Sequence, residues 1–238
     1  MTPQENDLNQ TLLHYIYDPL CGWCYGAAPL VKAARDLLPV QAHAGGMMSD
    51  ARRQPVTAAL RAFVLPHDRR IAQLTGQPFG PAYADGLLRD TTAVFDSEPP
   101  IAAVLAADAI AGRGLDLLAR LQRAHYVEGG RIADTDVLVD MAVDIGLAQQ
   151  AFVQALEQAR GAPVQAHIHA TRELMARIGA QGFPTLTLER DDGSWQPVDV
   201  ARFFGRPQDF AAHLRDLAPG AAPAELPAPA CNIDGCNP

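Results

Sequence analysis

The chain has 238 residues, 48% of them hydrophobic and 19% charged, a composition of folded globular protein with enough apolar mass for a sizeable core. Its 27 acidic residues outnumber 19 Lys and Arg, with no basic cluster to neutralise successive phosphates, so nucleic acid is excluded as the expected partner. No run of about 18 apolar residues exists to span a membrane, and the polar, acidic opening Met1–Gln10 lacks a secretory signal pattern, which predicts a cytoplasmic protein.

Thr11–Tyr17 (TLLHYIY) is rich in aromatic and β-branched residues and stops at Asp18-Pro19, predicting a buried strand closed by a turn. Cys21-Gly22-Trp23-Cys24 follows at once. From Trp23 to Leu38 the apolar residues recur at helical spacing until Pro39, and Val40–Ala44 predicts a second strand running into Gly45-Gly46. The opening is therefore β-α-β, with the cysteines in the first strand-to-helix turn.

From about Asp50 to Ala180 the pattern becomes Ala- and Leu-rich with helical period, punctuated by Pro66, Pro78, Pro99-Pro100 and several glycines, and predicts about six helices. Asp134 is read as an N-cap for a helix through Ile145, and Pro163 as the opening of a helix to Ile178. Regular strand pattern returns only at Thr185–Glu189 and Trp195–Val200, as a hairpin about Asp191–Ser194; Pro207 opens a last helix ending before Pro219-Gly220. The expected organisation is an α/β core made of residues 11–49 and 180–218, a helical insertion over 50–179, and a Pro/Ala-rich tail over 219–238. That tail carries the second cysteine pair, Cys231 and Cys236.

Four cysteines in two close pairs suit redox or metal chemistry better than structural bridging in a reducing compartment. A Cys-X-X-Cys at a helix start brings two sulfurs within disulfide reach, and the unpaired N–H groups of the helix end favour negative charge on the first. Cys21 is then the attacking sulfur, and Cys24, one turn inward, the resolving thiol. The same spacing is half of a zinc site, so a four-cysteine zinc protein is the competing reading, although about two hundred residues separate the pairs. Trp23 serves either to shield the sulfurs or to contact protein substrates. His14 reads as a satisfied core histidine; His125, His167 and His169 lack a ligand-like partner motif, and Gly45–Met48 reads as loop cover or as a pliable Met surface.

The string Tyr17–Cys24, the helical block and the later Gly182-Phe183-Pro184-Thr185 together resemble the DsbA-like proteins of thioredoxin fold, across nearly the whole chain. The distal Cys231-X4-Cys236 makes the FrnE-like cytoplasmic disulfide isomerases the nearest match within them. The resemblance implies a thioredoxin-like fold with a large helical insertion, and protein thiol–disulfide exchange without a bound cofactor or metal. It further implies a cis-proline at Pro184 facing the dithiol, with the Phe183 backbone pairing with substrate. The implied partners are unfolded or disulfide-bearing client proteins and a cellular thiol reductant. The dipeptide Gly22-Trp23 departs from the Pro-His of the family's strong oxidants; lacking that His, the couple is expected to be more reducing.

Cys231 and Cys236 read as a possible second redox pair, since a linker of about twelve extended residues reaches ~37 Å, comparable with the diameter of the domain. A passive tail is the alternative. Two further readings are a glutathione-linked isomerase or transferase on the same fold, which Cys24 disfavours, and a holdase that needs no cysteine.

Overall fold

The computed structural model describes residues 11–219, so the tail with Cys231 and Cys236 lies outside the described residues. Strand β1 (Leu12–Tyr17) is buried along almost its whole length, because helices cover both faces of the sheet it centres. It leads through the cysteine turn into α1 (Gly22–Arg35), and β2 (Val40–Ala44) returns parallel to it, with Leu13 opposite Val40 and Tyr17 opposite Ala44. After the helical block, β5 (Thr185–Glu189) lies antiparallel on the other side of β1, and β6 (Trp195–Val198) completes the order β2-β1-β5-β6. Register fixes the site: Thr185 pairs with Ile16, so Pro184 arrives beside the turn that follows β1.

The described residues between β2 and β5 hold six helices: α2 (Ala58–Thr75), α3 (Glu98–Ala111), α4 (Gly114–Tyr126), α5 (Thr135–Asp144), α6 (Gln149–Ala159) and α7 (Ala162–Ile178). The closing helix α8 (Pro207–Leu217) packs with α1 against the sheet. This is the thioredoxin fold with a helical insertion. No helix among the described residues is long and apolar enough to cross a membrane.

Several elements differ from the sequence reading. α1 ends at Arg35, with Leu37 and Leu38 N–H groups both turned back to the Ala34 carbonyl, so the run to Leu38 finishes as a turn. Two prolines sit inside helices, Pro29 in α1 and Pro66 in α2, where the pattern around Pro66 suggests a break. Pro29 leaves the Tyr25 carbonyl without its helical donor, and the Gln77 side-chain amide fills the vacancy at 3.1 Å. A two-residue pairing, β3 (Gln54–Pro55) with β4 (Val94–Phe95), lies within the helical block; strands so short carry no readable alternation. Asp134 stands at the N-cap of α5, but its side chain caps nothing and lies 3.7 Å from Arg131. The hairpin strand stops at Val198, and Val200 belongs to a 3-10 turn (Val200–Phe203).

Asp18 ties the cysteine turn to the rest. Fully buried, its carboxylate accepts from Leu20 N–H at 2.9 Å, from Met47 N–H at 2.6 Å and from the Ser97 hydroxyl at 3.0 Å. Burial pushes its pKa up, and the donors of Met47, Leu20 and Ser97 oppose that shift. Asp18→Ala leaves two buried N–H groups and a hydroxyl without their acceptor; urea unfolding is expected to show a loss of about 3 kcal/mol, against about 1 kcal/mol for Ser97→Ala.

Candidate active site

Cys21 occupies the N-cap of α1 with extended backbone (φ −89°, ψ 112°), and its Sγ accepts the Cys24 N–H at 3.3 Å. Its own N–H reaches back to the Asp18 carbonyl at 3.2 Å. The helix thus begins at Gly22, and one of its four free N–H groups is aimed at the first sulfur. Both cysteines are free thiols, 6% exposed at Cys21 and wholly buried at Cys24. Burial pushes the Cys24 thiol up, and hydrogen bonding to Cys21 adds to the shift, so the inner sulfur holds its proton. Beneath it, the Tyr15 hydroxyl lies 3.5 Å from the Cys24 carbonyl.

The structure brings the second sequence-predicted segment to the same place. The Phe183–Pro184 bond is cis, and the Phe183 carbonyl lies 3.6 Å from Cys21 Sγ. Thr185 donates its hydroxyl to the Gly182 carbonyl at 2.7 Å, closing the loop on itself. The Phe183 ring rests on the Gly45 backbone, where a Cβ would come within 2.3 Å of ring carbons. Gly45 and Gly46 are therefore packing partners of this loop, and Arg172 fastens them by donating to both carbonyls, at 3.1 and 2.8 Å. Trp23 stacks on Phe204 at 5.4 Å between ring centroids, both partly exposed beside the dithiol.

Residues of the helical block that the sequence did not single out complete the surroundings. α2 crosses α1 at two glycines one turn apart: a Cβ at Gly26 would meet Thr75 and Ile71 at 2.9 and 3.0 Å, and one at Gly22 would meet Ile71 at 2.9 Å and Asp68 Oδ1 at 3.3 Å. Asp68 is 5% exposed and accepts the Tyr83 hydroxyl at 3.1 Å on its other oxygen. Tyr126 lies in the same nest, stacked on Tyr25 at 4.9 Å, with its hydroxyl 4.0 Å from the Cβ position at Gly22. Asp68, flanked by His67 and Arg69, reads in sequence as part of a solvated helix face, and only the Gly22/Gly26 spacing hints at a close crossing.

Of the histidines singled out in the sequence, His125 borders this cluster, packed on Tyr83 and Tyr126 at 5.3 and 4.7 Å between ring centroids, and the others lie apart from it. His14 is buried and hydrogen-bonded at 2.9 Å to both His43 and Glu189, on the sheet face beside Trp195; His167 accepts the Ala44 N–H at 3.0 Å, His125 is buried among aromatics and His169 is exposed near Glu173. Among the described residues no group of three or more His, Cys, Asp or Glu is arranged to hold a metal. The four-cysteine reading depends on Cys231 and Cys236, outside the described residues.

No family model and no curated protein matches the chain. Among solved structures it resembles the cytosolic disulfide reductase DsbM from Pseudomonas aeruginosa, with 56% identity and a TM-score of 0.82 over 87% of this chain and 98% of that one. This chain belongs to the DsbA-like thiol–disulfide oxidoreductases. DsbM solved with glutathione matches at 55% identity and a TM-score of 0.81, with the same coverage of each chain. A candidate protein disulfide isomerase from Nitrosomonas europaea matches at 26% identity and a TM-score of 0.70, over 87% of this chain and 97% of its own. As in other DsbA-like enzymes, the chemistry is thiol–disulfide exchange.

Burial raises the Asp68 pKa to about 6, partly offset by the Tyr83 hydroxyl. The folded chain thus binds this proton more tightly than the unfolded chain does. The neutral form stabilises the fold fully below the ordinary carboxylate range, and that contribution is lost as pH rises through about 6. Asp68→Asn, neutral throughout, is expected to unfold at higher urea than wild type at pH 7, by up to about 2 kcal/mol, and to show no such gain at pH 4.

Proposed function

We propose that the protein is a cytoplasmic disulfide reductase of DsbA-like type, which opens disulfides in client proteins and is returned to its dithiol form by glutathione. The observation that carries this reading is the asymmetry of the pair. Cys21 Sγ lies at the helix N-terminus beside the Phe183 carbonyl, while Cys24 is wholly buried. The DsbM structure with glutathione supports the choice of reductant.

In this reading the Cys21 thiolate attacks one sulfur of the client disulfide. A Cys21–client S–S bond forms, the client bond breaks, and the departing client sulfur takes up a proton. Cys24 then loses its proton and attacks Cys21 Sγ, releasing the second client thiol and leaving the Cys21–Cys24 disulfide. Two glutathione molecules restore the dithiol and leave as oxidised glutathione. The Phe183 backbone ahead of the cis-proline would hold the client segment alongside the sulfurs, as an added strand, and Trp23 with Phe204 would offer it an apolar edge. That Cys231 and Cys236 form a second redox pair exchanging with Cys21–Cys24 belongs to the same proposal.

In a Cys231→Ser, Cys236→Ser background, Cys24→Ser incubated with oxidised glutathione is expected to accumulate a single glutathione adduct at Cys21, read by intact mass, whereas Cys21→Ser forms none and loses turnover. An adduct elsewhere, or turnover without Cys21, would defeat the reading. Equilibration of the wild-type pair with glutathione is expected to give a potential well below the about −120 mV of a strong periplasmic oxidant, because Gly22-Trp23 offers no histidine to stabilise the thiolate. A double Cys231→Ser, Cys236→Ser variant with unchanged turnover would assign the tail a passive role.

A further inference from the structure

Asp68 is a buried carboxylate that the exchange chemistry just described does not use. It comes from the helical insertion, yet Asp68 Oδ1 lies 3.3 Å from where a side chain at residue 22 would begin. Because residue 22 is glycine, no side chain of its own separates the carboxylate from the partly exposed backbone linking the two cysteines, and Ile71 reaches the same spot at 2.9 Å. Its position is fixed from two sides. Tyr83 donates to Oδ2, and Ile71 and Thr75, three and seven residues on, seat α2 against Gly22 and Gly26.

We propose that Asp68 is the proton acceptor for the small thiol that attacks the oxidised Cys21–Cys24 pair, a role that rests on the reductase reading above. The incoming thiol gives its proton to Asp68 Oδ1 as its sulfur bonds to Cys21 Sγ. The Cys21–Cys24 bond breaks with its electron pair going to Cys24 Sγ. Cys24 takes up a proton, which its burial favours, and Asp68 releases its own to solvent. A second thiol then attacks the reductant sulfur of this mixed disulfide, forming the reductant's disulfide, while Cys21 leaves as thiolate and takes up the second proton.

Two features suit Asp68 to this work. At neutral pH a carboxylate that titrates at about 6 is mostly ionised and yet basic enough to draw on a thiol proton. A small thiol titrates at about 8.5, so at neutral pH most of it is protonated and needs an acceptor. Tyr83 meets Asp68 directly, Asp68 and both sulfurs lie close enough to Tyr126 of α4 to act on it, and His125 packs on Tyr83 and Tyr126. Among the described residues no arginine forms an ion pair with Asp68; Arg61 and Arg89 pair with Asp85, and Arg206 with Asp209.

The test is stopped-flow reduction of the full-length oxidised protein, followed by Trp fluorescence from pH 5 to 8, with glutathione and separately with dithiothreitol. If Asp68 accepts the proton, the wild-type rate levels off above about pH 6, because thiol and carboxylate react together. Asp68→Asn should be slower by about tenfold or more at pH 6, and should climb tenfold per pH unit toward the thiol's own pKa of about 8.5. Tyr83→Phe removes the hydrogen bond that favours ionised Asp68, and should move the levelling-off to higher pH. An Asp68→Asn profile identical to wild type, or a Tyr83→Phe profile that does not move, overturns the assignment. A wild-type protein reduced by dithiothreitol but not by glutathione, with the Asp68→Asn contrast intact, defeats the glutathione reading and leaves the role of Asp68 standing.

Discussion

The Asp18 carboxylate, without solvent access, receives donors from three stretches of chain that are far apart in sequence: the cysteine turn through Leu20, the glycine-rich loop through Met47, and the start of α3 through Ser97. An acid removed from water is costly unless its oxygens are satisfied, so the three segments are held together by the cost of leaving any one donor out. The backbone of the same residue accepts the Cys21 N–H. The position of the first sulfur is therefore set by a residue three places earlier that never touches it, and the glycine loop against which Phe183 packs is held by the same carboxylate.

From that anchor the asymmetry of the dithiol follows. The turn delivers Cys21 to the N-cap, where a helix N–H meets its sulfur, and helical geometry then carries Cys24 inward, under cover. Cover on that side comes partly from the insertion, because Gly22 and Gly26 let α2 approach closely enough to bring Ile71, Thr75 and Asp68 onto the first turn of α1. The insertion is in this sense a wall of the active site, and it supplies a buried carboxylate beside Gly22.

The core was legible because its elements announce themselves locally: an aromatic and β-branched strand, a turn with Cys-X-X-Cys, a helical run, and a late hairpin. Pro29 and Pro66 were harder, since a proline within a helix is tolerated only where something else satisfies the freed carbonyl, and the Gln77 side chain that does so for Pro29 lies 52 residues from that carbonyl. Strands β3 and β4 are two residues each and leave no period to detect. Within the site, the two cysteines and Gly182–Thr185 stand out as motifs, whereas Asp18 reads as an ordinary turn residue and Asp68 as a surface acid. What distinguishes those two is burial, which depends on contacts across the fold. Tyr83 and Tyr126 are in the same position: their ring nest exists only once the turn at 82–86 meets the end of α4.

The amide of Gln77 on the Tyr25 carbonyl has a reach beyond repairing a proline gap. Tyr25 follows Cys24 directly, and its hydroxyl also donates to the Pro78 carbonyl at 2.8 Å, so two successive residues of the insertion are stitched to the residue after the inner cysteine. Any opening that lifts the 77–80 segment must break both bonds to the residue beside Cys24. Loosening of the insertion at 77–78 is thereby tied to the chain beside the inner cysteine, and the two segments share the free energy of that opening.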